Sequence, residues 1–321
     1  MRRLLSIISL FIGFQPWLGS ASAAPSQKDW LEVPLRDTPS ESKLALVIGV
    51  DDYCCGAKLQ ACGKDAHAFA AFLQKEMGFR DQSIILMTDD SENKRLKPDR
   101  VNLQRTLRNF VQSVDADSEV VVFFSGHGLR DANKDFLVPV DAFPDDGAEA
   151  CVSYDKLRGD LEGKTPRRCL LITDACRNVP GKSGAASGLG ASEFTKDPQF
   201  AELRSCLANE KSREMPDGSL GVFTHFLLEG LSGKAGEAGK PVTFDALKRY
   251  VKGNTSTFVL NKYETAQNPD GRASYGGMVL APGMVTPLVI RQEITSATLR
   301  NKVGRSPSTG QASSEAQTGM V

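Results

Sequence analysis

The sequence predicts an α/β fold in which a mostly parallel central sheet is covered by helices on both faces, and three observations predict it. Four continuous apolar runs have strand length and are rich in branched or aromatic residues: "LALVIGV" (44–50), "SIILMT" (83–88), "VVVFFS" (120–125) and "CLLIT" (169–173). The segments between them carry apolar residues at helical spacing. Two of the runs end alike, each just short of a reactive side chain: His127 after the third and Cys176 after the fourth. Strands that are apolar on both faces need helices on both sides to keep them from water.

The chain opens on a different kind of segment. In "MRRLLSIISLFIGFQPWLGSASAA", Arg2 and Arg3 precede an apolar stretch from Leu4 to Phe14, and Ala21, Ser22 and Ala23 form an A-x-A pattern. Residues 1–23 therefore read as a secretory signal peptide and imply an exported protein, periplasmic or secreted. An uncleaved anchor is the alternative, but the stretch falls short of the roughly 20 residues a span needs. Residues 24–42, with Pro34 and Pro39, suit a linker.

The core begins at the first apolar run. Ala66, Phe69, Ala70, Leu73 and Met77 then mark one helix face, with Gly78 as a stop signal. After the second strand and Pro98, the residues Leu103, Leu107, Phe110, Val111 and Val114 mark another helix, and a third is predicted around Tyr154 to Leu161 between the last two strands. From Val179 to Phe200 the pattern lapses into a long Gly/Ser/Ala-rich loop, of the kind that is functional or easily nicked. Order resumes with "AELRSCLA", a helix in "GVFTHFLLEGL", "VTFDALKRYV" and a short final strand in "GGMVLA". The domain is thus expected over 43–282, with a large part to about 178, the loop 179–200 and a small part 201–282. Residues 283–321 read as a polar, largely disordered tail.

Lysine plus arginine balances aspartate plus glutamate at 39 each, so no global field attracts nucleic acid, and none is expected as a partner. A membrane is a partner only if the first segment stays uncleaved. Seven cysteines in an exported chain leave at least one without an intramolecular partner. Cys54, Cys55, Cys62, Cys151, Cys169 and Cys206 have spacings compatible with up to three bridges, without fixing connectivity. No C-x-x-C pair and only three histidines argue against a zinc site, and no metal site is predicted.

In parallel sheets, ligands gather beyond the C-terminal strand ends, where His127 and Cys176 are expected to meet. A cysteine becomes a nucleophile when a base such as histidine favours its thiolate. Gly128 offers an N–H without side-chain bulk to a developing oxyanion, and Cys176 can add its own. Flanking Gly126 and Gly128 are expected to let a peptide approach the main chain closely. Taken singly, Cys176 is as well explained as a small buried hydrophobe. Cys169, inside its run, reads as core, and His67 and His225 as helix-surface or packing residues. "GKS" at 181–183 resembles the end of a phosphate-binding loop, but the glycine required five positions earlier is Cys176. "PDDG" at 144–147 lacks the alternating oxygen ligands of a calcium loop, so no cofactor is implied and calcium dependence stays open.

"FFSGHG" and "DACRN" together resemble the caspase-like cysteine peptidases of the peptidase C14 type, particularly the bacterial relatives of metacaspases, the orthocaspases. The caspase signature is Q-A-C with the histidine about 50 residues upstream; here Asp174 replaces the glutamine. The resemblance covers about Lys43 to Ala281 and implies a caspase-like three-layer sandwich. It also implies that Asp174 selects arginine or lysine before the scissile bond, and it brings in Cys62 and Asp65 from "LQACGKDA", and Ser125, as further pocket residues. Two carboxylates and a hydroxyl at one strand end suit a guanidinium or ammonium head.

The expected function is an exported cysteine endopeptidase acting on peptide or protein substrates through the His127–Cys176 dyad. A catalytically latent caspase-like module that serves as a binding protein or scaffold is the alternative. Lys182 and Lys196, in the loop beside the nucleophile, match the expected preference and are candidate self-cleavage sites. Natural substrate and oligomeric state are left open.

Overall fold

A computed structural model describes residues 42–175, 199–208 and 210–281. Residues 1–41, 176–198, 209 and 282–321, which include the expected signal peptide, most of the expected loop and tail, and Cys176, Lys182 and Lys196, lie outside the described residues.

The central sheet has six strands: β1 (Lys43–Gly49), β2 (Ile84–Thr88), β3 (Glu119–Gly126), β7 (Arg168–Ala175), β8 (Phe200–Arg204) and β10 (Asp270–Ala273). Their spatial order is β10-β8-β7-β3-β1-β2; all pairings are parallel except that of β10 with β8. Alternate residues serve opposite faces, as the two-residue strand period requires. Ala45, Val47, Val121, Phe123, Leu170 and Ile172 pack on one side, under α1 (Cys62–Glu76), α4 (Val222–Glu229) and α5 (Phe244–Tyr263). Leu46, Ile48, Val122, Phe124 and Leu171 pack on the other, under α2 (Arg100–Ser113) and α3 (Tyr154–Lys164). The chain goes from β1 outward to β2 over one face and returns over the other to β3. The strand order therefore reverses between β1 and β3, and the crevice beyond their C-terminal ends is the usual ligand site of an open parallel sheet.

The four predicted buried strands form within one or two residues of their expected bounds, α3 runs three residues past the expected Leu161, and Gly78 at φ 71° closes α1. Capping follows from local residues: the Asp99, Ser153 and Thr243 side chains accept N–H bonds from the first turns of α2, α3 and α5.

One detail differs from expectation and two add to it. The long loop stops short of Phe200, which is fully buried as the first residue of β8. The "GGMVLA" strand, β11 (Val279–Ala281), pairs not with the central sheet but with β9 (Val242–Thr243). A small antiparallel arm, β4 (Gly128–Asp131), β5 (Lys134–Leu137) and β6 (Val152–Ser153), follows His127 directly.

Among the described residues, Cys54, Cys55, Cys62 and Cys151 are free thiols. Cys169 is fully buried, as expected of a core residue. "PDDG" lies in a 3-10 turn, Pro144–Ala150. Among the described residues no helix is long and apolar enough to cross a membrane, and no cluster of acidic, histidine or cysteine side chains suits a metal.

Candidate active site

The register of the parallel strands assembles the site. Gly49 lies opposite Ser125, Ser125 opposite Asp174, and Gly126 opposite Ala175, so the ends of β1, β3 and β7 share one edge. The N-terminus of α1 faces that edge. A Cβ on Gly49 would come within 2.4 Å of the Cys62 carbonyl, so only glycine lets the helix start this close to the strand. Asp51, in the turn between them, accepts N–H bonds from Cys62 (2.9 Å) and Gly63 (2.8 Å), which otherwise have no partner at a helix start.

Asp65, in the first turn of α1, and Asp174, near the end of β7, are both buried. Asp65 accepts the Ser125 hydroxyl and the Gly221 N–H, each at 2.8 Å. Asp174 accepts the hydroxyls of Ser212 and Thr224, the latter at 2.8 Å. Gly221 sits between the two carboxylates. A Cβ there would lie 2.6 Å from an Asp174 oxygen and 2.9 Å from an Asp65 oxygen. Burial pushes the Asp65 carboxyl well above the usual aspartate range, and the Asp174 charge adds to the rise. Burial likewise raises Asp174, against the pull of the Ser212, Thr224 and Ser205 hydroxyls. Two like charges held out of water disfavour each other, and a cation between them relieves both. Cys62 stands beside them with its thiol pushed well up, by burial and then by the Asp65 charge, so it is a neutral wall of the cleft.

His127 directly follows β3 and is half-buried. Its N–H donates to the Tyr53 hydroxyl at 2.6 Å, and the two rings pack with centroids 4.4 Å apart. Its Nε2 lies 2.7 Å from the Ala57 carbonyl oxygen. A carbonyl only accepts, so Nε2 carries the proton and the basic lone pair of the neutral ring is on Nδ1.

Asp65, Asp174, Ser125, Cys62 and His127 therefore line one cleft, together with Gly126, Ser212, Arg213, Glu214 and Gly221. Gly128 opens β4 immediately after His127, opposite Leu137. The last described residue of β7 is Ala175, and Cys176 lies outside the described residues. His67 and His225 are away from this cleft, near Asp90 (3.3 Å) and Glu229 (3.9 Å).

Gly126 has a reason beyond the expected one. A Cβ there would meet the Tyr53 hydroxyl at 2.6 Å, so this glycine makes room for the residue that holds His127. Tyr53, the Ala57 carbonyl, Ser212, Thr224 and Gly221 were not predicted. They come from loops and a helix start distant in sequence, and no local pattern marks them.

A histidine and a buried carboxylate pair at one edge of a parallel sheet define the class. The chain belongs to the caspase-domain family, whose family model matches residues 42–272. It is 30% identical over 137 residues to metacaspase-1 of Cryptococcus neoformans var. neoformans serotype D (strain JEC21), covering 43% of this chain and 27% of that protein. To metacaspase-4 of Arabidopsis thaliana it is 29% identical over 149 residues, covering 43% of this chain and 34% of that protein. These matches span about a third or less of the relatives' own length. Among solved structures, caspase-1 of Spodoptera frugiperda shares the fold, with TM-score 0.54 and 14% identity over 75% of this chain and 90% of that one.

Proposed function

We propose that the chain is a cysteine endopeptidase that cleaves peptide bonds after arginine or lysine, and that the segment 1–23 directs its export. The observation that carries the specificity is the buried pair Asp65 and Asp174 on either side of Gly221, two carboxylates that suit a cationic side chain. An anionic side chain would add a third like charge there.

Cys176 is the proposed nucleophile. Its thiol proton passes to Nδ1 of His127, the nitrogen left basic by the Ala57 contact, and the thiolate attacks the scissile carbonyl. The N–H groups of Gly128 and Cys176 would stabilise the oxyanion. The imidazolium then gives its proton to the leaving amine, and water, deprotonated by the same ring, hydrolyses the acyl-enzyme.

A peptide library varied at the residue before the scissile bond tests the reading. Turnover confined to arginine and lysine is expected, and a preference for aspartate would overturn it. Cys176→Ala and His127→Ala should each abolish turnover, and the double variant should be scarcely worse, because the two act as one unit. Full hydrolysis by Cys176→Ala would remove the nucleophile assignment, and no hydrolysis by the wild type would favour the latent module.

A further inference from the structure

Two residues grip His127 from the same short segment, Tyr53 through its hydroxyl and Ala57 through its carbonyl. Between them stand Cys54 and Cys55, adjacent in sequence, with the Cys54 thiol donating to the Cys55 sulfur at 2.9 Å. Cys54 is exposed and Cys55 half-buried, so solutes reach the pair. We propose that Cys54 and Cys55 are a reversible modification site for disulfide-bearing oxidants and thiophilic electrophiles, and that closing this pair disengages the Ala57 carbonyl from His127.

The covalent step needs an oxidant of the class RSSR, such as oxidised glutathione. The Cys54 thiolate attacks one of its sulfurs, forming Cys54–S–S–R and releasing RS⁻, which takes up a proton. The Cys55 thiol loses its proton and attacks the Cys54 sulfur, closing the Cys54–Cys55 bond and expelling the second RSH. Two protein thiols are oxidised and one disulfide is reduced to two thiols.

Adjacent Cα atoms are about 3.80 Å apart across a trans peptide, whereas a disulfide ordinarily spans about 4.4–6.8 Å between them. The backbone must therefore yield when the ring closes, and the strained bond is readily reduced again. One side of the pair resists movement, because the Cys54 N–H is tied to the Val140 carbonyl (2.9 Å) and the Tyr53 ring is buried. The other side is Gly56, where a Cβ would meet nothing within 4 Å, so the displacement falls on Gly56 and Ala57. A base moved by about an ångström can lose on the order of 100-fold in rate.

The effect on turnover rests on the peptidase reading; formation of the bond and its reach to His127 do not. Trypsin releases residues 44–58 as one peptide holding these two cysteines and no other. In the full-length Cys176→Ala chain equilibrated with oxidised glutathione, mass spectrometry should find this peptide short of two hydrogens, restored by a reductant. The His127 imidazole NMR signals should shift with the same redox midpoint. Separate intact or glutathionylated thiols, or a closed pair with unmoved His127 signals, would overturn the proposal.

In the active chain, phenylarsine oxide, which bridges paired thiols, should lower kcat at least about tenfold and a small dithiol should restore it. Cys54→Ser/Cys55→Ser should keep basal activity and lose this response. Equal inhibition of both chains would overturn the link to catalysis. An inactive wild type whose His127 signals still follow the pair would overturn the peptidase reading alone.

Discussion

Asp65 concentrates the conflict between binding and stability in one side chain. It is 1% exposed, and its charge faces that of Asp174 across Gly221. An acid whose pKa is raised by folding holds its proton more tightly folded than unfolded. Its contribution to stability is present below the ordinary aspartate value of 3.8 and is lost as pH rises through the raised value. Asp65→Asn keeps the hydrogen bonds, since the amide oxygen accepts the Gly221 N–H and the amide group donates to Ser125, but it removes the charge. The variant should be more stable than wild type by about 1 kcal/mol near neutral pH, with the advantage shrinking toward pH 4. Thermal melts across that range check it. KM for arginine substrates should rise at least about tenfold, because half of the paired recognition of the cation is gone. Tyr53 gives a second prediction. Tyr53→Phe keeps the ring against His127 but withdraws the acceptor of its N–H, a loss that costs about 1–3 kcal/mol when the donor is left without a partner. Its kcat should fall by roughly an order of magnitude with KM nearly unchanged, since Tyr53 meets the histidine and not the proposed pocket; a change in KM alone would assign it to binding.

At the scale of elements, strand ends and helix starts decide where these side chains stand. The close start of α1 against β1 depends on Gly49, whose added Cβ would also lie 2.8 Å from the Ala66 Cβ. Gly49→Ala should destabilise the fold by about 1–3 kcal/mol through overpacking, and activity should fall further than stability because Asp65 moves with the helix. Melting temperature and kcat/KM measured together test this, and unchanged activity in the folded variant would mean that the helix start tolerates displacement. The same elements show what was readable. β1, β2, β3 and β7 are apolar on both faces because helices cover both, so composition alone betrays them. β8 is equally buried but spells "FAELR". Glu202 and Arg204 lie inside a polar network in which Tyr154, Arg158 and Arg272 meet Glu202 and Asp135 meets Arg204. Buried charges are tolerated there because they are paired, and pairing across distant segments leaves no trace in a local pattern. The strands of the arm and β10 are four residues or fewer, too short for any period to emerge. Of the site, Asp65, Ser125, His127 and Asp174 were legible because motif residues mark them. Gly221 and Thr224 were not, since their role exists only once α4 packs against the sheet edge.

On the scale of the whole molecule, the two parts of the domain are joined twice. Residues 176–198 connect them covalently, and β7 pairs with β8 in parallel from Cys169↔Phe200 to Thr173↔Arg204. The second connection survives a cut in the first. β8 is fully buried, and α4 and α5 pack in the same apolar layer as α1, so separating the parts would expose a large share of that core. The loop carries Lys182 and Lys196 a short tether away from the proposed nucleophile, which places them at high effective concentration. Self-cleavage after either lysine is therefore expected in the wild type and not in Cys176→Ala, and the fragments should elute together in native size exclusion and separate only in denaturant. Mass spectrometry of the two chains checks the sites. Fragments ending at Lys182 or Lys196 in both chains would assign the cut to a contaminating protease. Fragments that separate without denaturant would mean that the β7–β8 pairing and the shared core are too weak to hold the domain. An intact wild-type chain that hydrolyses arginine substrates would show that the lysines do not reach the active site and that the uncut domain is already competent.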